Sequence, residues 1–160
     1  MMMPGSLRSN LVRNLKEDGE EDEIEDEKLI NHLKTVELWD MVEGQGGLAA
    51  DTADLKLSQG QKQLVCMARA LASKDESPIL VLDEAMSTVD KQTEELMVRI
   101  LEEHFTEHTI ISVVHRLNTV EKFDTVLLLD AGSIAEVGSP ETLLAKENGR
   151  FRALWHGKEA

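Results

Sequence analysis

Residues 77–84 read SPILVLDE, a short continuous apolar run opened by a proline and closed by two adjacent carboxylates. A run of that kind predicts a strand buried on both faces, as in a parallel sheet. It does not stand alone. TIISVVH at 109–115 and TVLLLD at 125–130 have the same character. Between the first two, residues 91–104 place Leu96, Met97, Ile100 and Leu101 at helical spacing, with Phe105 next on that side. A short helix is expected over about 117–122. Strands alternating with helices predict an α/β layer fold with a mostly parallel sheet. Ala131–Gly132 then turns the chain back into SIAEVG, a hairpin signal, and Pro140 opens a helix over PETLLAKE. A last short helix is expected near 150–155.

The part before residue 74 is different, with helices and no strands between them. One helix is expected from about Asp26 to Met41, its apolar face built from Leu29, Ile30, Leu33, Val36 and Leu38 or Trp39. A glycine-rich connection, EGQGGLAADTAD, covers 43–54. A second helix is expected from Gln59 to Ser73, with Leu64, Val65, Ala68, Leu71 and Ala72 on one side. The chain thus divides into a leading segment with an acidic loop (1–27), a helical lobe (28–74) and an α/β portion (75–160).

Charge and composition exclude several classes. The net charge is −14, but EDGEEDEIEDE at 17–27 holds nine acids and no base, and setting those nine aside leaves −5. Such a block is usually a solvated loop or the front of an exposed helix. An acidic chain without a basic stripe argues against a nucleic-acid partner. The single cysteine, Cys66, has no partner for an internal disulfide and fits a reducing compartment. No apolar run reaches the roughly 20 residues that a bilayer-spanning helix needs, and MMMPGSLRSNL has no apolar core of a signal peptide.

Three features carry chemistry. Asp83 and Glu84 end the first strand, where an open parallel sheet binds ligands. There an aspartate is placed to hold Mg²⁺, directly or through water, and its neighbour to orient or deprotonate a water. Taken alone, four apolar residues followed by DE are more simply a strand end that opens a turn. His115 ends the next strand and is equally ordinary by itself, but the topology brings it to the same sheet edge as the two acids. Ser58 fits a helix N-cap, and Gly60 keeps the first turn open to close approach. The free N–H groups and the helix dipole there favour an anion.

In combination these features resemble the motifs of ATP-binding-cassette (ABC) ATPases. LSQGQ at 57–61 resembles the signature motif, ILVLDE the Walker B strand with its glutamate, STVD at 87–90 the D-loop, and His115 the switch histidine. Ser58 precedes Asp83 by 25 residues, and Glu84 precedes His115 by 31, in the family's order. The stretches GSLRSNL (5–11), QLVCMARAL, HRLNTV and DAGSIAEVGSPETLL are most similar to the second nucleotide-binding domain of subfamily C, multidrug-resistance-associated transporters. The resemblance implies the C-terminal part of a P-loop NTPase (RecA-like) ABC ATPase domain, with a parallel-sheet core and a helical signature subdomain. It implies ATP and Mg²⁺ as cofactors, and an opposing nucleotide-binding domain and transmembrane domains as partners, at the cytoplasmic face of a membrane. Ser58, Gly60 and Gln61 would face the γ-phosphate of the opposing domain's ATP. Asp83 would support Mg²⁺ through water, Glu84 would activate water, and His115 would contact the γ-phosphate. Ser87 and Asp90 would lie in the D-loop.

The chain also departs from that pattern. No GxxxxGK[ST] occurs, the only Gly-Lys pair being Gly157–Lys158. The lysine and backbone that would cradle phosphates are therefore missing, which a truncated reading of a longer chain accounts for. There is no tyrosine, Gln59 stands where the family often has Gly or Val, Ala53 and Asp54 fill a place often rich in glycine, and Met86 replaces a small residue. Two alternatives follow. The chain is a non-catalytic module that lends LSQGQ to a partner's P-loop. Or it is of the chromosome-maintenance type, which ranks low because residues 1–57 hold no long coiled coil and the charge has the wrong sign. Without a P-loop the 160-residue chain is expected to show no MgATP turnover; phosphate release above background would contradict this.

Overall fold

The computed structural model describes residues 2–12, 25–87, 89–114 and 117–157. Most of the acidic run and His115 therefore lie outside the described residues. The chain forms two compact units, 1–113 and 114–160.

In the first unit, helix α1 (Leu7–Leu11) starts on Ser6, whose hydroxyl accepts from the Ser9 amide. Helix α2 (Asp26–Thr35) and the short α3 (Trp39–Glu43) take the place of the single helix expected to Met41. The break has a local cause. Glu37 adopts φ +57°, the Leu38 amide donates to Leu33 O at 2.9 Å and the Glu37 amide to Lys34 O at 3.0 Å. This double bond is the Schellman way of ending a helix, and the usual apolar pair accompanies it: Leu33 and Leu38 are both buried. The non-glycine residue at the left-handed position is what hides the stop from a sequence reading.

Helix α4 (Gln59–Ala72) is the centre of this unit and stops one residue before the expected Ser73. Its buried stripe, Leu64, Val65, Met67, Ala68 and Leu71, packs on α1, α2 and α5 (Lys91–His104). Leu7, Leu11, Leu29, Leu33, Met97 and Ile100 complete the core. Strands β1 (Ile79–Asp83) and β2 (Thr109–Val113) pair in parallel, Ile79 opposite Thr109 and Asp83 opposite Val113.

One expectation changes here. Leu82 is buried and Leu80 and Ile110 are partly covered, but the other face of the pair is open. Ile79 is 51% exposed, Val81 61%, Ile111 50% and Val113 48%. Among the described residues of this unit, helices cover one face only, so the run is apolar on both sides but covered on one.

The second unit begins with a 3₁₀ segment, Leu117–Lys122. Strand β3 (Val126–Asp130) pairs antiparallel with β4 (Ser133–Gly138), the hairpin that the Ala131–Gly132 signal predicts. The connection decides this. Ala131 (φ +47°) and Gly132 (φ +78°) make a two-residue loop with both φ positive, whose twist suits a hairpin. The inner residues Val126 and Leu128 pack on Val120, Leu143 and Phe151. These come from the 3₁₀ segment, α6 (Pro140–Ala145) and α7 (Arg150–Gly157). Leu127, Leu129, Ile134 and Val137 lie open on the hairpin.

Among the described residues no helix is long and apolar enough to cross a membrane. Leu33→Ala is expected to cost about 2–5 kcal/mol in denaturant unfolding, the range for deleting a fully buried leucine. Val81→Thr with Ile111→Thr should leave that stability nearly unchanged while reducing self-association in sedimentation velocity.

Candidate functional site

The amino end of α4 is built by a reciprocal cap. The Gln61 amide donates to Ser58 Oγ at 3.1 Å, and the Ser58 amide donates to Gln61 Oε1 at 2.8 Å. This capping box holds Ser58 at φ −63°, ψ 168°, just outside the helix. The N–H groups of Gln59 and Gly60 remain without an acceptor inside the helix. Ser58, Gln59 and Lys62 are exposed, and Gly60 is buried. Gln61 thus has a visible structural task, which the S-x-x-Q spacing signals in the sequence.

Gly60 is glycine for a reason on its inner side. A Cβ there would stand 3.3 Å from Thr93 Oγ1, 3.5 Å from Asp90 Oδ2 and 3.6 Å from Thr93 Cγ2. The first turn of α4 therefore rests against the first turn of α5. On that side the Gly60 α-carbon has Asp90 and Thr93 as its neighbours.

Asp90 is the N-cap of α5. Its Oδ1 accepts from the Thr93 amide at 3.0 Å and its Oδ2 from the Thr93 hydroxyl at 2.7 Å. These bonds, the backbone one foremost, hold its carboxyl below the usual aspartate range. Thr93 is a residue that the sequence reading missed; the D-x-x-T spacing at a helix start is the signal for it.

Asp83 is exposed at the carboxyl end of β1, level with Val113 of β2. The next residue, Glu84, is exposed and left-handed at φ +49°. For a residue with a Cβ this conformation costs about 1–2 kcal/mol. Ser87 supports it: its amide and its hydroxyl both donate to Glu84 O, at 3.0 and 2.9 Å. The predicted member His115 lies outside the described residues, as does Thr88 between Ser87 and Asp90. The structure brings Gly60 to Asp90 and Ser87 to Glu84. Among the described residues no group of three or more His, Cys, Asp or Glu side chains is disposed to hold a metal by itself.

Helical lobe, parallel β1–β2 pair and hairpin together have the fold of the C-terminal part of an ABC ATPase domain. A solved structure of a bacterial Atm1-family ABC exporter with ATP bound matches it with a TM-score of 0.82 and 30% identity, over 99% of this chain and 27% of that one. ABC multidrug transporter B of Aspergillus fumigatus is 41% identical over 155 residues, 97% of this chain and 10% of its own length. ABC transporter ecdL of Aspergillus rugulosus is 40% identical over 94% of the chain, and ABC-type transporter FG02316 of Gibberella zeae 49% over 71%. No family model matches the chain. By sequence and fold the chain is a homologue of ABC transporters, and it spans about a tenth of the length of the curated relatives it matches.

Ser58→Ala is expected to cost about 0.5–2 kcal/mol in chemical unfolding by removing one arm of the capping box. Asp90 gives a pH signature. Its folded value is lowered, so its stabilising effect is present above the ordinary aspartate value of about 3.9 and is lost as pH falls through the folded value. Asp90→Asn keeps a cap but removes that dependence. The difference in melting temperature between the two proteins should therefore shrink as pH drops below about 3.9.

Proposed function

We propose that the chain is part of the ATP-binding and ATP-hydrolysing domain of an ABC-type export transporter, nearest to the second such domain of subfamily C. The observation that carries the reading is the match, over nearly the whole chain, to an exporter solved with ATP bound. The order of LSQGQ, ILVLDE, STVD and His115 supports it from the sequence side. In this reading residues 28–74 form the signature lobe and 75–160 the α/β portion, and both work at the cytoplasmic face of a membrane. Its partners are an opposing nucleotide-binding domain and transmembrane domains; nucleic acid is not among them.

The residues present fit one part of an MgATP site. At the start of α4 the Gln59 and Gly60 N–H groups, which have no acceptor inside the helix, and the exposed Ser58 form a donor set for an anion. Asp83 and Glu84 stand exposed at the carboxyl end of a parallel strand, where hard cations and phosphates bind. The GxxxxGK[ST] lysine and loop do not occur in the 160 residues. Ser58, Gly60 and Gln61 would hold the γ-phosphate of a nucleotide on the opposing domain, and Asp83 would hold Mg²⁺ through water. The bound metal supplies charge neutralisation at the phosphates. Glu84 takes a proton from water, with its backbone held by Ser87. His115 would contact the γ-phosphate, and Asp90 would meet the opposing domain.

In the complete domain, Glu84→Gln should retain ATP binding while steady-state hydrolysis falls about 10²–10⁴-fold, the usual contribution of a general base. Undiminished hydrolysis would overturn the assignment. The alternative reading is a non-catalytic module that lends LSQGQ to a partner's P-loop. It requires that this chain raise the ATPase rate of a P-loop-bearing domain when mixed with it, and that Ser58→Ala abolish the effect.

A further inference from the structure

Thr93 touches two parts of the candidate site at once. It is half-buried on the first turn of α5, and as a β-branched residue in a helix its χ1 choices are few. Its hydroxyl donates to Asp90 Oδ2 at 2.7 Å and its amide to Oδ1 at 3.0 Å. Both carboxylate oxygens are therefore held by one residue. The same side chain faces α4: Oγ1 and Cγ2 stand 3.3 and 3.6 Å from where a Cβ on residue 60 would be, with Asp90 Oδ2 at 3.5 Å. The 3.3 Å approach to Oγ1 is tight, so a Cβ at residue 60 would press on the Thr93 hydroxyl.

Two helix starts are thereby set against each other through one hydroxyl. On the α4 side lies the capped turn Ser58–Gln61. On the α5 side lies the end of the loop that begins at the left-handed Glu84 and is tied by Ser87. A helical start held only by its own cap frays readily, because the terminal turn has the fewest bonds. Here Thr93 and Asp90 stand against that turn at Gly60.

We propose that Thr93 is a positioning residue that, through Asp90 and the bare α-carbon of Gly60, sets the amino end of the signature helix against the loop following Glu84. Its functional meaning rests on the reading of Ser58–Gln61 and Glu84 as nucleotide contacts; the contact itself is independent of that reading. If both hold, the element that serves the opposing nucleotide and the loop that carries the water-activating glutamate move as one piece.

The test uses the 160-residue chain, isotopically labelled, with the Asp90 carboxyl titrated by carbon NMR and the Gly60 and Gln61 amides followed by chemical shift and hydrogen exchange. Thr93→Val keeps the shape and loses the hydroxyl; Thr93→Ser keeps the hydroxyl; Gly60→Ala pushes from the other side. Thr93→Val is expected to raise the Asp90 midpoint towards the ordinary aspartate value and to speed exchange at Gln61 several-fold. Gly60→Ala should raise the same midpoint by displacing the Thr93 hydroxyl, and Thr93→Ser should stay near wild type. The double variant Thr93→Val with Gly60→Ala should add little to either single one, because both break one contact. A Thr93→Val protein whose Asp90 midpoint rises while Gly60 and Gln61 are unmoved would reduce Thr93 to a local cap and overturn the proposal. So would Gly60→Ala with a wild-type Asp90 midpoint, and that variant decides the matter if Thr93→Val does not fold. None of these readouts uses nucleotide. Failure of the nucleotide reading, seen as full hydrolysis by Glu84→Gln in the complete domain, would therefore leave them unchanged.

Discussion

The apolar stripe of α4 holds the first unit together. Val65 and Ala68 are fully buried, and Leu64, Met67 and Leu71 nearly so, against α1, α2 and α5 at once. Polar bonds lock the same helix in register. Arg69 Nε donates to Asn10 O at 2.6 Å, so the carboxyl half of α4 grips the end of α1. Asn10, 2% exposed, is itself satisfied: its amide donates to Met3 O and Ser6 O, and its Oδ1 accepts from the Met3 amide. A buried amide with both N–H groups and its oxygen engaged specifies one arrangement, since any slip would leave donors without acceptors. With the body of α4 so constrained, its amino end is presented outward at a defined place, and Gly60 finishes the fit against α5.

The two small sheets obey a different constraint. A parallel strand pair is ordinarily covered on both faces. Here Leu82 faces the helices while Val81 and Ile111 on the opposite face lie open. The hairpin of the second unit repeats the pattern, Leu128 packed inward and Leu127 and Leu129 open. Open apolar faces of this kind are surfaces for association. They also explain why strands whose sequence reads as wholly buried are only half so among the described residues.

Much of the molecule was legible from periodicity and turn chemistry. Helix α5 runs over the expected residues 91–104, and the Ala131–Gly132 turn closes a hairpin. Ser58 is the N-cap of α4, as its place before the helical pattern suggested. What escaped has local causes. The helix expected to Met41 stops at Thr35, because a glutamate takes the left-handed position at which glycine would have announced the end. Thr93 was overlooked because its importance comes from what lies opposite it on another helix.

The sequence by itself determined the class of fold, the order of the motifs and the starts of α2, α4, α5 and α6. These depend on short-range chemistry: the 3.6-residue period, capping side chains and the special φ values of turns. Only the tertiary structure decided which groups meet. The contact of Gly60 with Asp90 and Thr93 joins residues about thirty positions apart. The support of Glu84 by Ser87 depends on a backbone conformation that no residue type signalled. Such juxtapositions arise from the packing of α4 on α5 and from the turn after β1, where side-chain volume and backbone geometry, rather than residue type along the chain, select the arrangement.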